Sequence, residues 1–135
     1  MKSFDVQGID LAVSRSKAFA FIADPAQLPK WTNAFASVTS GRAVMRTPSG
    51  EVTIDLEVLA SAEQGTVDWR MTFPDHSVAT AFSRVVDLDR HRCIFSFVLT
   101  PPPVPLEQLE GTLKAQSRTL AEELTKLKDI LEHDG

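Results

Sequence analysis

The clearest pattern along the chain is a period of two that runs from about residue 36 to residue 100. In "EVTIDLEVLA", Val52, Ile54, Leu56 and Val58 alternate with Glu51, Thr53, Asp55 and Glu57, so one face is apolar and the other is wet. "TVDWRMTF" repeats the pattern, with Val67, Trp69, Met71 and Phe73 against Asp68, Arg70 and Thr72, and "RCIFSFVL" puts Phe95, Phe97 and Leu99 on one side. The separators "TPSG", "AEQG", "FPDH" and "DLDRH" carry the proline, glycine and aspartate of short antiparallel turns. The pattern predicts a meander of five or six antiparallel strands.

Ahead of the meander, "SFDVQGIDLAV" alternates in two phases. Phe4 and Val6 share one face, then Ile9, Leu11 and Val13 share the other, and a strand with a bulge near Gly8 accounts for the slip. Ser14 or Ser16 caps a short helix, "SKAFAFIA", with Ala18, Phe19 and Ile22 at helical spacing. Asp24-Pro25 stops it, because the residue before a proline is driven out of the helical region. "PAQLP" reads as one further turn bracketed by Pro25 and Pro29.

After the meander, "TPPPVP" ends the sheet, since prolines donate nothing to a strand ladder, and a helix begins at Pro105. Leu106, Leu109, Leu113, Leu120, Leu124, Leu127 and Leu131 recur at spacings of three, four or seven. They form one apolar stripe on a helix roughly 40 Å long, enough to cross a small domain. The stripe needs a partner and the one-sided sheet needs a cover. The expected class is therefore α+β, with one antiparallel sheet of about six or seven strands, two short N-terminal helices and one long C-terminal helix.

Composition narrows the partners. At 135 residues the chain is expected to be one domain, 1–135, large enough for a core with an internal pocket. A net charge of -4 argues against nucleic acid and anionic membranes as partners. The single cysteine, Cys93, forms no internal disulfide, and its phase in its strand makes it a small core residue. The beginning "MKSFDVQGID" has charges where a secretion signal has an apolar run, and no run of transmembrane length follows; a cytoplasmic protein is expected. A homodimer is the default assembly among soluble oligomers.

The element order, and the stretch "AFAFIADPAQLPKW" from an apolar first helix through Asp-Pro to Trp31, resemble the helix-grip fold of the SRPBCC superfamily. That superfamily includes START-like lipid binders, plant pathogenesis-related allergens and polyketide cyclase/dehydrase-like proteins, and the likeness spans nearly the whole chain. The resemblance implies a curved sheet gripping the long helix, with a cavity between them for an apolar or amphipathic molecule. It implies no common reaction, since the superfamily has no shared catalytic set.

If the strand phases hold, the inward face of the sheet offers Trp69, Met71, Phe73, Phe82, Phe95 and Phe97. Such a wall suits rings or acyl chains. The residues alone leave a filled core and a cavity equally open, and the resemblance tips the reading to a cavity. Trp31 and Phe35 are expected to pack at its mouth, with Trp31 the plug that fixes the short helices. Arg84 shares the phase of Val78, Phe82 and Val86: inward, its guanidinium would meet a carboxylate, phosphate or enolate oxygen; a bulge or strand end would turn it to solvent. Gln116 interrupts the helix stripe between Leu113 and Leu120, either as a ligand contact or at the rim.

His76, beside Asp75 in the turn "PDHS", is the best-placed histidine for acid or base work, against the plainer reading of an exposed turn residue. His91 reads as a turn residue and His133 as part of a charged tail, and the three histidines are too far apart in sequence to support a metal site. No tyrosine, Gly-rich phosphate loop or nucleophile elbow is present, and no cofactor is expected. Three functions follow: binding of a small hydrophobic or amphipathic molecule in the cavity, a cyclase/dehydrase-like enzyme in which His76 or Arg84 acts on a carbonyl compound, or a protein-interaction module.

Overall fold

The computed structural model describes residues 4–47, 50–100 and 106–133. Seven strands, β1 (Asp5–Leu11), β2 (Phe35–Thr39), β3 (Arg42–Thr47), β4 (Gly50–Ser61), β5 (Thr66–Thr72), β6 (Val78–Asp89) and β7 (Arg92–Leu99), form one antiparallel sheet. Its order is β1-β7-β6-β5-β4-β3-β2. Because β1 and β2 are adjacent in sequence but lie at opposite edges, the chain between them has to cross the width of the sheet. It does so over one face, through α1 (Arg15–Ile22), a 3-10 turn (Pro25–Gln27) and α2 (Leu28–Trp31). The long helix α3 (Leu106–His133) packs along β1 and against α2. Of the predicted features, the proline run 101–105 with its helix start, Pro48 and Ser49 of the "TPSG" turn, and the side chains of Leu106 and Leu109 lie outside the described residues.

The helix boundaries follow local chemistry. The Ser14 hydroxyl accepts the backbone N–H of Lys17 at 3.2 Å and caps α1. Asp24 leaves the helical region before Pro25, and its carboxylate accepts the Ala26 N–H at 3.1 Å to cap the next turn. Pro29 differs from expectation: it stands in the first turn of α2, where a missing N–H costs nothing, so the predicted single turn is a 3-10 turn followed directly by a second short helix.

In α3, Leu113, Leu120, Leu124, Leu127 and Leu131 are all buried, each contributing roughly 2 kcal/mol of apolar burial. Two carboxylates and a lysine pin the helix to the layers beneath it. Glu132 accepts the Ala12 N–H at 2.7 Å, Glu123 accepts the Asn33 N–H at 2.6 Å, and the Lys128 ammonium donates to the Asp10 carbonyl at 2.7 Å. No described helix is long and apolar enough to cross a membrane.

Two strand phases depart from the sequence reading. β1 pairs with β7 in continuous register from Asp5↔Leu99 to Leu11↔Cys93, with no bulge at Gly8. The slip arises because the helix-facing positions in its first half are polar. The Gln7 amide donates to the Asp5 carboxylate and to the Ser117 carbonyl, each at 2.8 Å, and the Ser117 hydroxyl donates to Asp5. Val6 consequently points outward.

In β6 the large residues take the wet face: Val78, Phe82 and Val86 are exposed, as is Arg84. The inner positions are Ala81, Ser83 and Val85. A strand flanked on its inner face by Trp69 of β5 and by Phe95 and Phe97 of β7 has little room for another large side chain, and Ala81 pairs directly with Trp69. The outward Phe82 instead lines up with Val98 and Val6 across three strands.

Candidate functional site

Small residues on β6 between aromatic neighbours leave a space under α3. This inner chamber, of about 190 Å³, is bounded by Leu28, Trp31 and Thr32 from α2 and its end, Ala34 and Phe35 at the start of β2, Met45 of β3, Trp69 and Met71 of β5, Ala81 of β6, Phe97 of β7, and Leu120 and Glu123 of α3. An outer chamber of about 300 Å³ continues from it, bounded by Ala34, Phe97, Leu99, Ala115, Gln116, Thr119, Leu120 and Glu123. Ala34, Phe97, Leu120 and Glu123 belong to both walls and mark the junction.

The aromatic part of the wall is one connected cluster. Trp31 and Trp69 lie with ring centroids 6.3 Å apart, Trp69 stacks on Phe97 at 6.1 Å, and the edge-to-face pair Trp31–Phe95 is at 6.0 Å, all in the range where ring quadrupoles attract. Trp31 and Trp69 are almost fully buried, yet the Nε1 atom of each has no hydrogen-bond partner among the described residues. A buried unpaired donor costs about 1–3 kcal/mol, so each indole would gain from an acceptor brought close to it.

Glu123 is the ionisable group of the junction. Its position on α3, three residues after Leu120 and one before Leu124, places it on the apolar stripe, and burial pushes its carboxyl up, against the opposing effects of the Asn33 N–H and the Lys126 charge. A carboxyl in an apolar wall with a raised pKa is the kind of group that transfers protons or meets a ligand charge.

The structure brings Trp31, Phe35, Trp69, Met71, Phe97 and Leu120 to one wall, and puts Gln116 on the exposed rim of the outer chamber. Phe95 and Leu113 are buried behind the walls. Phe73 lines a separate pocket of about 230 Å³ with Arg42 and Asp55. Phe82 and Arg84 do not face the interior: Phe82 is exposed, and the Arg84 guanidinium donates from its Nε to the Gln64 carbonyl at 3.2 Å on the outer surface.

His76 sits exposed in the β5–β6 turn with a φ of 69°, its backbone N–H bonded to the Phe73 carbonyl, and lines neither chamber. Asp75 beside it is held below its usual value chiefly by hydrogen bonds from Ser77, with the His76 charge the smallest contribution. Among the described residues, no three His, Cys, Asp or Glu are grouped to hold a metal ion.

Leu28, Thr32, Ala34, Met45, Ala81 and Glu123 are wall residues that the sequence reading passed over. Ala81 could have been found from the small-residue phase Ala81-Ser83-Val85, and Glu123 from a charge sitting inside the leucine spacing.

No family model and no curated protein matches the sequence. Solved structures do match the fold. A START superfamily protein from Mycobacterium smegmatis superposes with a TM-score of 0.72 at 13% identity, covering 98% of this chain and 99% of its own. The Zhui aromatase/cyclase from a Streptomyces species gives 0.68 at 12% identity, covering 96% and 93%. A protein from Colwellia psychrerythraea, solved in solution as a dimer, gives 0.61 at 18% identity, covering 97% of each chain. The chain thus shares the helix-grip fold of these proteins, an antiparallel sheet packed around one long C-terminal helix.

Proposed function

We propose that the protein binds a small, largely apolar molecule in the inner chamber, with the outer chamber as the route in. The observation that carries this reading is unfilled volume inside the most aromatic part of the molecule. Four rings, Trp31, Phe35, Trp69 and Phe97, and two methionines, Met45 and Met71, surround about 190 Å³. Interiors are otherwise packed like organic crystals, and a half-enclosed apolar pocket of this size leaves its lining without contacts that a ligand would supply. The polar groups of the two walls are few, Thr32, Gln116, Thr119 and Glu123, a pattern typical of sites that bind through shape and orient through one or two polar contacts.

Calorimetric titration with 4-phenylbutan-1-ol tests this in the native chain and in Ala81→Leu, which fills the chamber from β6. Saturable binding with a negative heat-capacity change, weakened at least about tenfold in a folded Ala81→Leu variant, is the expected result. Equal binding by both, or none by the native chain, would refute the site.

One observation favours a second reading, an enzyme of the cyclase/dehydrase type. Glu123 has the raised pKa and the position at the chamber that an acid or base needs, whereas His76 and Arg84 are outside both chambers. On this reading Glu123, and neither of those two, exchanges the proton with a carbonyl compound. Turnover of any substrate found for the protein should then be lost in Glu123→Gln and retained in His76→Ala and Arg84→Ala.

A further inference from the structure

We propose that the molecule held in these chambers is a cationic amine, an organic ammonium on an apolar body, with its charge set against Glu123 and the faces of the neighbouring rings. The inference rests on the reading of the chambers as a binding site and specifies what that site selects.

The sign of the head group follows from the walls. Among the described residues, Glu123 is the one ionisable side chain lining either chamber, and none of those lining residues is a lysine, arginine or histidine. An anionic ligand would therefore enter an apolar space facing a carboxylate, with no basic group to receive it. The indole N–H groups of Trp31 and Trp69 would serve an oxygen acceptor on the ligand, but they favour neutral and anionic oxygens alike and so leave the sign to Glu123.

The Lys126 charge acts on Glu123 from outside both walls. Glu123 Oε2 accepts the Asn33 N–H at 2.6 Å, and among the described residues Glu123 forms no ion pair, whereas Glu132, nine positions on, is paired with Lys128 at 2.7 Å. A carboxylate accepts in about four directions, so capacity remains for an ammonium donor. The rings add to the same preference. Trp31, Trp69 and Phe97 are linked at centroid spacings of 6.3 Å and 6.1 Å around the space that Glu123 borders, and a cation within about 6 Å of such faces is attracted by their quadrupoles, tryptophan most of all. A box of aromatic faces with one carboxylate is the arrangement that an ammonium fits and a carboxylate does not.

The test is a calorimetric titration with three probes of one shape, 4-phenylbutylamine, 4-phenylbutan-1-ol and 4-phenylbutanoate, at neutral pH. The expected order is amine, alcohol, carboxylate, with the amine at least about tenfold tighter than the alcohol. Glu123→Gln keeps an oxygen for the Asn33 N–H while removing the charge, and in that variant the amine and alcohol should bind within about twofold of each other. An alcohol or carboxylate that matches the amine, or an amine preference that survives in Glu123→Gln, would overturn the proposal while leaving the chambers a binding site. Failure of all three probes to bind would overturn both readings.

Discussion

The backbone N–H of Asn33 donates a 2.6 Å hydrogen bond to Oε2 of Glu123, tying the link between α2 and β2 to the long helix at the junction of the two chambers. The bond has opposing consequences for Glu123. It stabilises the ionised carboxylate, yet the burial that comes with the position raises the carboxyl's pKa by more. The folded protein therefore holds this proton to higher pH than the unfolded chain does.

The sign of the stability effect follows from that difference. A group that binds its proton more tightly in the folded state favours folding at low pH, and its contribution is lost as pH rises from the ordinary carboxyl range through the raised folded value. Glu123→Gln removes the titration, so its stability relative to the native chain should increase across that window and level off above it. Thermal melts of both proteins over a pH series measure the difference, in which the remaining carboxylates largely cancel. A difference that stays flat or falls with pH would contradict the assignment.

Trp31 joins the short helices to the sheet, through edge-to-face contact with Phe95 and a tilted contact with Trp69. Trp31→Ala should destabilise the fold by about 3–5 kcal/mol, as large aromatic truncations in cores do. Trp31→Phe should cost less than the lost ring area suggests, because it also removes a buried N–H that has no partner among the described residues. Urea denaturation of the two variants gives both values.

Gly65 adopts a φ of 76°, and a Cβ on it would collide with the Val85 carbonyl oxygen and crowd the Arg15 guanidinium. The approach is close because the Val85 N–H donates to the Gly65 carbonyl at 2.7 Å while Arg15 clamps the same turn through the Ala62 carbonyl at 2.7 Å. Gly65→Ala should therefore cost at least about 2 kcal/mol, combining left-handed strain with displacement of β6. A stability unchanged within error in denaturant melts would show that the turn relaxes freely.

Arg84 and Phe82 point away from the chambers. Arg84→Ala should shift stability by no more than about 0.5 kcal/mol, as exposed substitutions do, and Phe82→Ser should leave the affinity for 4-phenylbutan-1-ol unchanged. Calorimetry and melts on the two variants check this; a large loss of affinity in either would place the site on the outer face of the sheet.

Much of the fold was legible because it is written in period and punctuation. The alternation in "EVTIDLEVLA" became β4, the leucine spacing became α3, and Asp24-Pro25 stopped α1 where a pre-proline residue must leave the helix. The site was legible only where its residues are large and apolar. Trp31, Trp69, Met71 and Phe97 announce a buried wall, but a wall encloses space only if something small stands opposite; Ala34 carries no signal of that role, and Ala81 shows one only in the small-residue phase it shares with Ser83 and Val85.

The β6 error has a related cause. Assigning the larger residues to the inside put Phe82 there and left Arg84 open between inside and solvent, although strands β5 and β7 had already filled that layer with aromatic rings. The same preference for bulk hid Asp5 and Gln7, which face α3 because Ser117 answers them, and passed over Glu123, whose charge falls within an apolar stripe.

The chain has two tryptophans, both in the wall of the inner chamber, so an amide correlation spectrum of the ¹⁵N-labelled protein has two indole cross-peaks, one for each. Titration with 4-phenylbutan-1-ol should move both indole peaks along saturable curves with one shared dissociation constant, while the side-chain signals of Arg84 and His76 stay in place. Indole peaks that remain still at millimolar probe, with the protein folded, would contradict a ligand site between the sheet and the long helix.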